Sequence, residues 1–145
     1  MASSVLPDPD TPFGTRVRER LRDDSVIWFT AVGKDGTPQP NPVWFLWENG
    51  TLLVYNAPDA YRLTHIQHRP QVSLHFNSDA SGGDIVVLRG NARRVDDLPP
   101  PHQHQDYLAK YREGMIEVSG DVETFGRQFP TALRVDLTRV RGFLE

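Results

Sequence analysis

The residues with the most chemistry to offer lie in the stretch Tyr55-Asn56-Ala57-Pro58-Asp59-Ala60-Tyr61-Arg62. An apolar run over residues 51–56 stops at Ala57-Pro58, and a short helix is expected over residues 59–69, closed by Arg69-Pro70. The first turn of a helix leaves backbone N–H groups unpaired and carries partial positive charge. A phosphate placed there is bound by both effects. Arg62 would add a planar, permanently charged fork, and Tyr61 a hydroxyl or a ring face. The same residues admit a second reading, in which Asp59 caps the helix itself and Arg62 is a solvated surface charge.

Other candidates offer less. In Pro42-Val43-Trp44-Phe45-Leu46-Trp47, Trp44 and Trp47 cannot face the same side of one strand. One would fill a core while the other lines a groove or a subunit interface, or the whole run is core. His65 and His68 are three apart on the short helix, and His102 and His104 two apart near a later helix start. None has the HExxH spacing, and a metal needs three or four convergent ligands, so no metal site is expected. There is no GxSxG, no GxGxxG after a strand and no phosphate-binding P-loop. The chain has no cysteine, which excludes disulfides and thiolate sites. The basic run from Arg89 to Arg94 alternates along a strand without interleaved aromatics, and reads as a solvated or interface face. With a net charge of −3, the balance argues against a nucleic-acid binder.

The elements that must position these residues are mostly strands. A chain of 145 residues is expected to form one domain. Residues 1–14 are small, polar and proline-rich and read as a flexible arm, leaving 15–145 as the folded domain. A surface helix is expected over 15–24 and a strand buried on both faces over 25–32, followed by a glycine turn at 33–36. Pro38, Pro40 and Pro42 put the next segment at a sheet edge or bulge, with a regular strand beginning only at 43–47. Asn49-Gly50 marks a hairpin into the strand at 51–56. Further strands are expected over 71–77, over 84–95 with Gly90 at a bulge or close approach, and over 132–143. Helices are expected over 102–111 and, capped by Asp121, over 121–129. Six strands joined as antiparallel hairpins suggest a closed or nearly closed barrel with short helices. No stretch has the length of a membrane span and the N-terminus lacks the pattern of a signal peptide, so a cytoplasmic protein is expected.

The order of these pieces resembles the pyridoxamine 5′-phosphate oxidase-like split β-barrel superfamily. The likeness rests on a hairpin whose proline-rich second strand ends in PVWF, the return through Tyr55-Asn56, and the short helix with Arg62. RPQVSLHF, DIVVLRGNARRV and RVDLTRVRGF follow. It is most similar to the small branch that uses the deazaflavin coenzyme F420, and it covers residues 26–143. The resemblance implies a six-stranded antiparallel split barrel, mainly β, that forms a homodimer with two cofactor sites at the subunit interface. It places the cofactor ring along Asn41, Val43, Trp44 and Phe45 and along Tyr55 and Asn56, with the phosphate at Ala60, Tyr61 and Arg62. The family often has Ser or Thr where this chain has Ala60, and Lys where it has Arg62, which weakens a flavin mononucleotide (FMN) reading. Asp84 stands where flavin oxidases of the family often carry an amide, a departure that puts pyridoxamine phosphate oxidase activity itself in doubt. The implied activity is hydride transfer between a deazaflavin and a small unsaturated molecule. FMN in place of deazaflavin, a non-catalytic carrier and a haem-binding barrel are the alternatives. No catalytic side chain is assigned; Tyr55, His75 or solvent could supply a proton.

Overall fold

The computed structural model describes residues 5–144. Helix α1 (Pro12–Asp23) comes first, then strands β1 (Ile27–Val32), β2 (Pro38–Val43), β3 (Leu46–Glu48) and β4 (Thr51–Asn56). Helix α2 (Tyr61–His68) leads to β5 (Gln71–His75) and β6 (Ile85–Val95), then α3 (Gln105–Ser119), α4 (Val122–Gln128) and β7 (Thr131–Phe143). The seven strands form one antiparallel sheet in the order β2-β1-β5-β6-β7-β4-β3.

The outermost strands of that order, β2 and β3, are consecutive in the chain and joined only by Trp44-Phe45. Three peptide steps span at most about 11 Å. The two edges must therefore approach at this end, and the sheet curls into a split barrel. Its interior is filled by alternate residues: Ile27, Phe29 and Ala31 of β1, Leu52 and Val54 of β4, and Leu74, Val86, Leu88, Leu133 and Val135 of β5, β6 and β7.

The strand count is seven, not six, because the run expected as one strand over 43–47 is broken. The backbone of Phe45 bonds to side chains of α3 instead of a neighbouring strand. Its N–H donates to the Tyr111 hydroxyl at 2.9 Å, and its carbonyl accepts from Lys110 Nζ at 3.1 Å. The proline segment, in turn, pairs with β1 from Pro38 onward in regular register. Prolines at alternate positions put all three missing N–H groups on one edge, the free one, so the ladder survives.

Helix α1 starts at Pro12, ahead of the expected residue 15. Thr11 Oγ1 accepts from the Gly14 N–H at 3.0 Å, and proline suits the first helical position. Leu6 and Phe13, within the segment expected to be a flexible arm, pack against the barrel core, while Met1–Ser4 lie outside the described residues. β1 alternates buried and half-buried rather than being buried on both faces. The register of β6 and β7 shifts at Arg89/Gly90, where the extra residue is Thr138 of β7; Gly90 marks a close approach, since a Cβ on it would lie 2.6 Å from the Asp136 carbonyl oxygen. Helix α3 runs over Gln105–Ser119, later and longer than the expected 102–111. With α4 it covers the outer face of β4 and the start of β7, making a second core of Leu53, Tyr55, Tyr107, Tyr111, Met115, Phe125 and Ala132. No helix among the described residues is long and apolar enough to cross a membrane.

Candidate functional site

Helix α2 is bounded by Ala60, whose side chain offers no cap. The expected cap at Asp59 does not form. The Leu63 N–H bonds back to the Ala60 carbonyl at 3.1 Å. The N–H groups of Tyr61 and Arg62 meet no acceptor among the described residues.

Arg62 stands in this first turn. Its guanidinium donates to Asn56 Oδ1 and lies 5.9 Å from the centre of the Phe29 ring. No carboxylate pairs with it among the described residues, and burial pushes its pKa below the usual arginine value. A half-buried cation without a counter-charge is costly unless something anionic joins it. Asn56 is itself buried and fully used: its Nδ2 donates to the carbonyls of Val54 and Thr131, both at 3.1 Å, which leaves Oδ1 to aim Arg62.

A cleft of about 230 Å³ opens in front of this turn, lined by Phe29, Ala31, Gln39, Asn41, Ala60, Tyr61, Arg62 and His65. Phe29 lies across the ladder from Asn41, and Ala31 from Gln39. The core-facing side of the β1–β2 hairpin thus changes from apolar on β1 to amide on β2. Tyr61 is 82% exposed at the rim. The arrangement suits a ligand with an anionic end at the helix turn and a flat body against the hairpin.

Of the residues expected to hold a cofactor, Asn41, Ala60, Tyr61 and Arg62 meet in the cleft, and Asn56 acts behind Arg62. The side chains of Val43, Trp44, Phe45 and Tyr55 go elsewhere. Val43 and Phe45 fill the barrel. Trp44 stacks on Tyr111, with centroids 4.7 Å apart, and on Phe125 at 5.4 Å. Tyr55 packs edge-on to Tyr107, and its hydroxyl donates to the Pro99 carbonyl at 2.6 Å. Burial raises the Tyr55 pKa well above that of an ordinary phenol, so it is a poor proton donor. Trp47 packs partly buried against the barrel core. Phe29, Ala31 and Gln39 were missed as cleft residues. Alternation along β2 puts Gln39 on the same face as Asn41, and the hairpin register would have supplied the other two.

Asp84 lies outside the cleft and ties α1 to β6. It accepts from Arg16 Nε at 3.0 Å and from a terminal nitrogen of Arg16 at 2.6 Å, and Arg20 lies near it. The Arg16 hydrogen bonds hold this carboxyl below its ordinary pKa. Among the histidines, His65 lines the cleft. His104 caps α3, with Nδ1 accepting from the Tyr107 N–H and Nε2 bonded to Glu48 at 3.0 Å. Among the described residues no group of three or more His, Cys, Asp or Glu could hold a metal ion.

The model of the family described as pyridoxamine 5′-phosphate oxidase matches residues 13–141. No curated protein matches the sequence. Among solved structures, an F420 reductase is 19% identical, with a TM-score of 0.67 over 86% of this chain and 94% of its own. A FAD-binding protein from Mesorhizobium loti is 18% identical, with a TM-score of 0.62 over 87% and 88%. HutZ, a haem storage protein from Vibrio cholerae, is 14% identical, with a TM-score of 0.61 over 88% and 92%. At these identities the likeness is one of fold.

Proposed function

The chain belongs to the pyridoxamine 5′-phosphate oxidase family, and on that premise we propose that it is a redox protein that uses coenzyme F420, with the cofactor's phosphate at the first turn of α2. The observation that carries this reading is Arg62, a half-buried guanidinium that has no carboxylate partner among the described residues, beside two N–H groups that meet no acceptor there. Arg62 would grip the phosphate with Asn56 holding its angle, and the Tyr61 and Arg62 N–H groups would take further oxygens. The ring would lie against Phe29 and Ala31, within reach of the Gln39 and Asn41 amides. When bound, the cofactor supplies hydride chemistry for a small unsaturated substrate; the protein binds, orients and shields. Ala60 offers no hydroxyl to a phosphate; the singly charged phosphodiester of F420 needs fewer donors than the doubly charged monoester of FMN, which favours the deazaflavin. The cleft is open to solvent in a single chain, and a homodimer that closes it with a second copy is part of the proposal.

Titration of the protein with coenzyme F420 and separately with FMN, followed by fluorescence quenching, tests the reading. Saturable binding of F420, tighter than that of FMN, is expected. Preference for FMN would reassign the cofactor, and binding of neither would refute the proposal. Binding of F420 with no acceptor reduced would favour a carrier.

A further inference from the structure

Strands β6 and β7 carry six arginines, and they divide into two sets. Arg93 pairs with Asp136 at 2.7 Å, Arg94 with Asp96 at 3.3 Å and Arg134 with Glu48 at 3.1 Å. Arg89, Arg139 and Arg141 are exposed and have no carboxylate within ion-pair distance among the described residues. Arg89 lies directly across the ladder from Arg139, and Arg141 sits two residues further along β7, opposite Val87. The extra residue Thr138 on β7 shifts that strand's alternation, so that Arg139 and Arg141 point outward with Arg89. Like charges directly opposite each other destabilise a sheet. In a chain of net charge −3, this concentration of unmatched positive charge stands out.

We propose that Arg89, Arg139 and Arg141 form a second phosphate site, for a phosphorylated organic molecule, on the face of the sheet opposite the Arg62 cleft. Three guanidinium forks on neighbouring positions can converge on one tetrahedral group, which offers an oxygen edge to each. A carboxylate has two oxygens and is satisfied by a single fork. The organic part has a platform beside it. Val87 lies across from His75, and His75 from Trp28; the Trp28 and His75 rings stack 10° from parallel, and all three residues are only half-buried. Phe29 faces the cleft and its neighbour Trp28 faces this platform, so the two sites are separated by the thickness of the sheet.

Inorganic pyrophosphate is the probe, measured by calorimetry at low salt in the full chain carrying Arg62→Ala, so that the cleft does not contribute. This variant should bind pyrophosphate, and adding Arg139→Gln and Arg141→Gln should weaken binding roughly tenfold or more. These side chains have no partners among the described residues, so the added substitutions should not impair folding. Without pyrophosphate they should raise the melting temperature, by relieving the repulsion with Arg89. Lysine at both positions should keep the charge but bind measurably more weakly than arginine. No binding to the Arg62→Ala chain, or equal binding after the glutamine substitutions, would overturn the proposal, and lysine binding as tightly as arginine would overturn the three-fork geometry. Failure here would leave the Arg62 reading intact.

Discussion

Arg62 and Asn56 work as a pair: one supplies charge, the other direction. Replacing Arg62 with Ala should weaken cofactor binding by about 1.5–3 kcal/mol, the range for hydrogen bonds to charged groups. The fold should tolerate the change, because Arg62 is desolvated without a compensating acid; thermal melting beside the binding titration separates the two effects. Replacing Asn56 with Ala should impair both, since two buried carbonyls, of Val54 and Thr131, lose their donor. Asp84 sets a dependence on acid. Its folded pKa is depressed by Arg16, so the stability it contributes is fully present above its unfolded pKa of about 3.9 and is lost as pH falls through the lower folded value. Asp84→Asn keeps a residue that tolerates the positive φ of 56° and should flatten the acid limb of the stability curve. An unchanged acid limb would show that Asp84 is not responsible.

Among the elements, the break between β2 and β3 governs what the cleft contains. It exists because Tyr111, 66 residues further on, offers its hydroxyl to the Phe45 N–H and turns its own proton to the Ser25 carbonyl at 2.7 Å. Tyr111→Phe should cost about 1–3 kcal/mol in denaturant unfolding by leaving that buried N–H unpaired; a loss near zero would mean the break is held by the Trp44 stack alone. Lys110, whose Nζ donates to the Phe45 carbonyl, is pushed down to about 8 by burial. A lysine depressed in the folded state binds its proton more weakly there than when unfolded. Stability from this group should therefore rise between about pH 8 and its ordinary value near 10.4, and Lys110→Met should remove that rise. The hairpins, the edge position of the proline segment and the Asp121 cap were legible because each depends on neighbours a few residues away. The fates of Trp44 and Tyr55 were not. Alternation along β4 says that Tyr55 faces opposite Val54, but not that α3 and α4 cover that side. The strand count failed for the same reason: a side chain from α3 satisfies Phe45.

At the scale of the whole molecule, the barrel is closed by two residues at one end and split at β2, which is exposed along nearly its whole length. A strand edge bearing three prolines resists pairing with another sheet, so the proposed second copy would cover the cleft with side chains rather than extend the ladder. Dilution to monomer should then abolish cofactor binding; full-strength binding by a monomer would remove the dimer from the account.

The most direct test labels the protein with ¹⁵N and follows backbone amide resonances as coenzyme F420 is added. The account predicts that the Tyr61 and Arg62 amides shift most, in step with occupancy, because their free N–H groups receive the phosphate. Saturation with the cofactor while those two amides stay unmoved would contradict it.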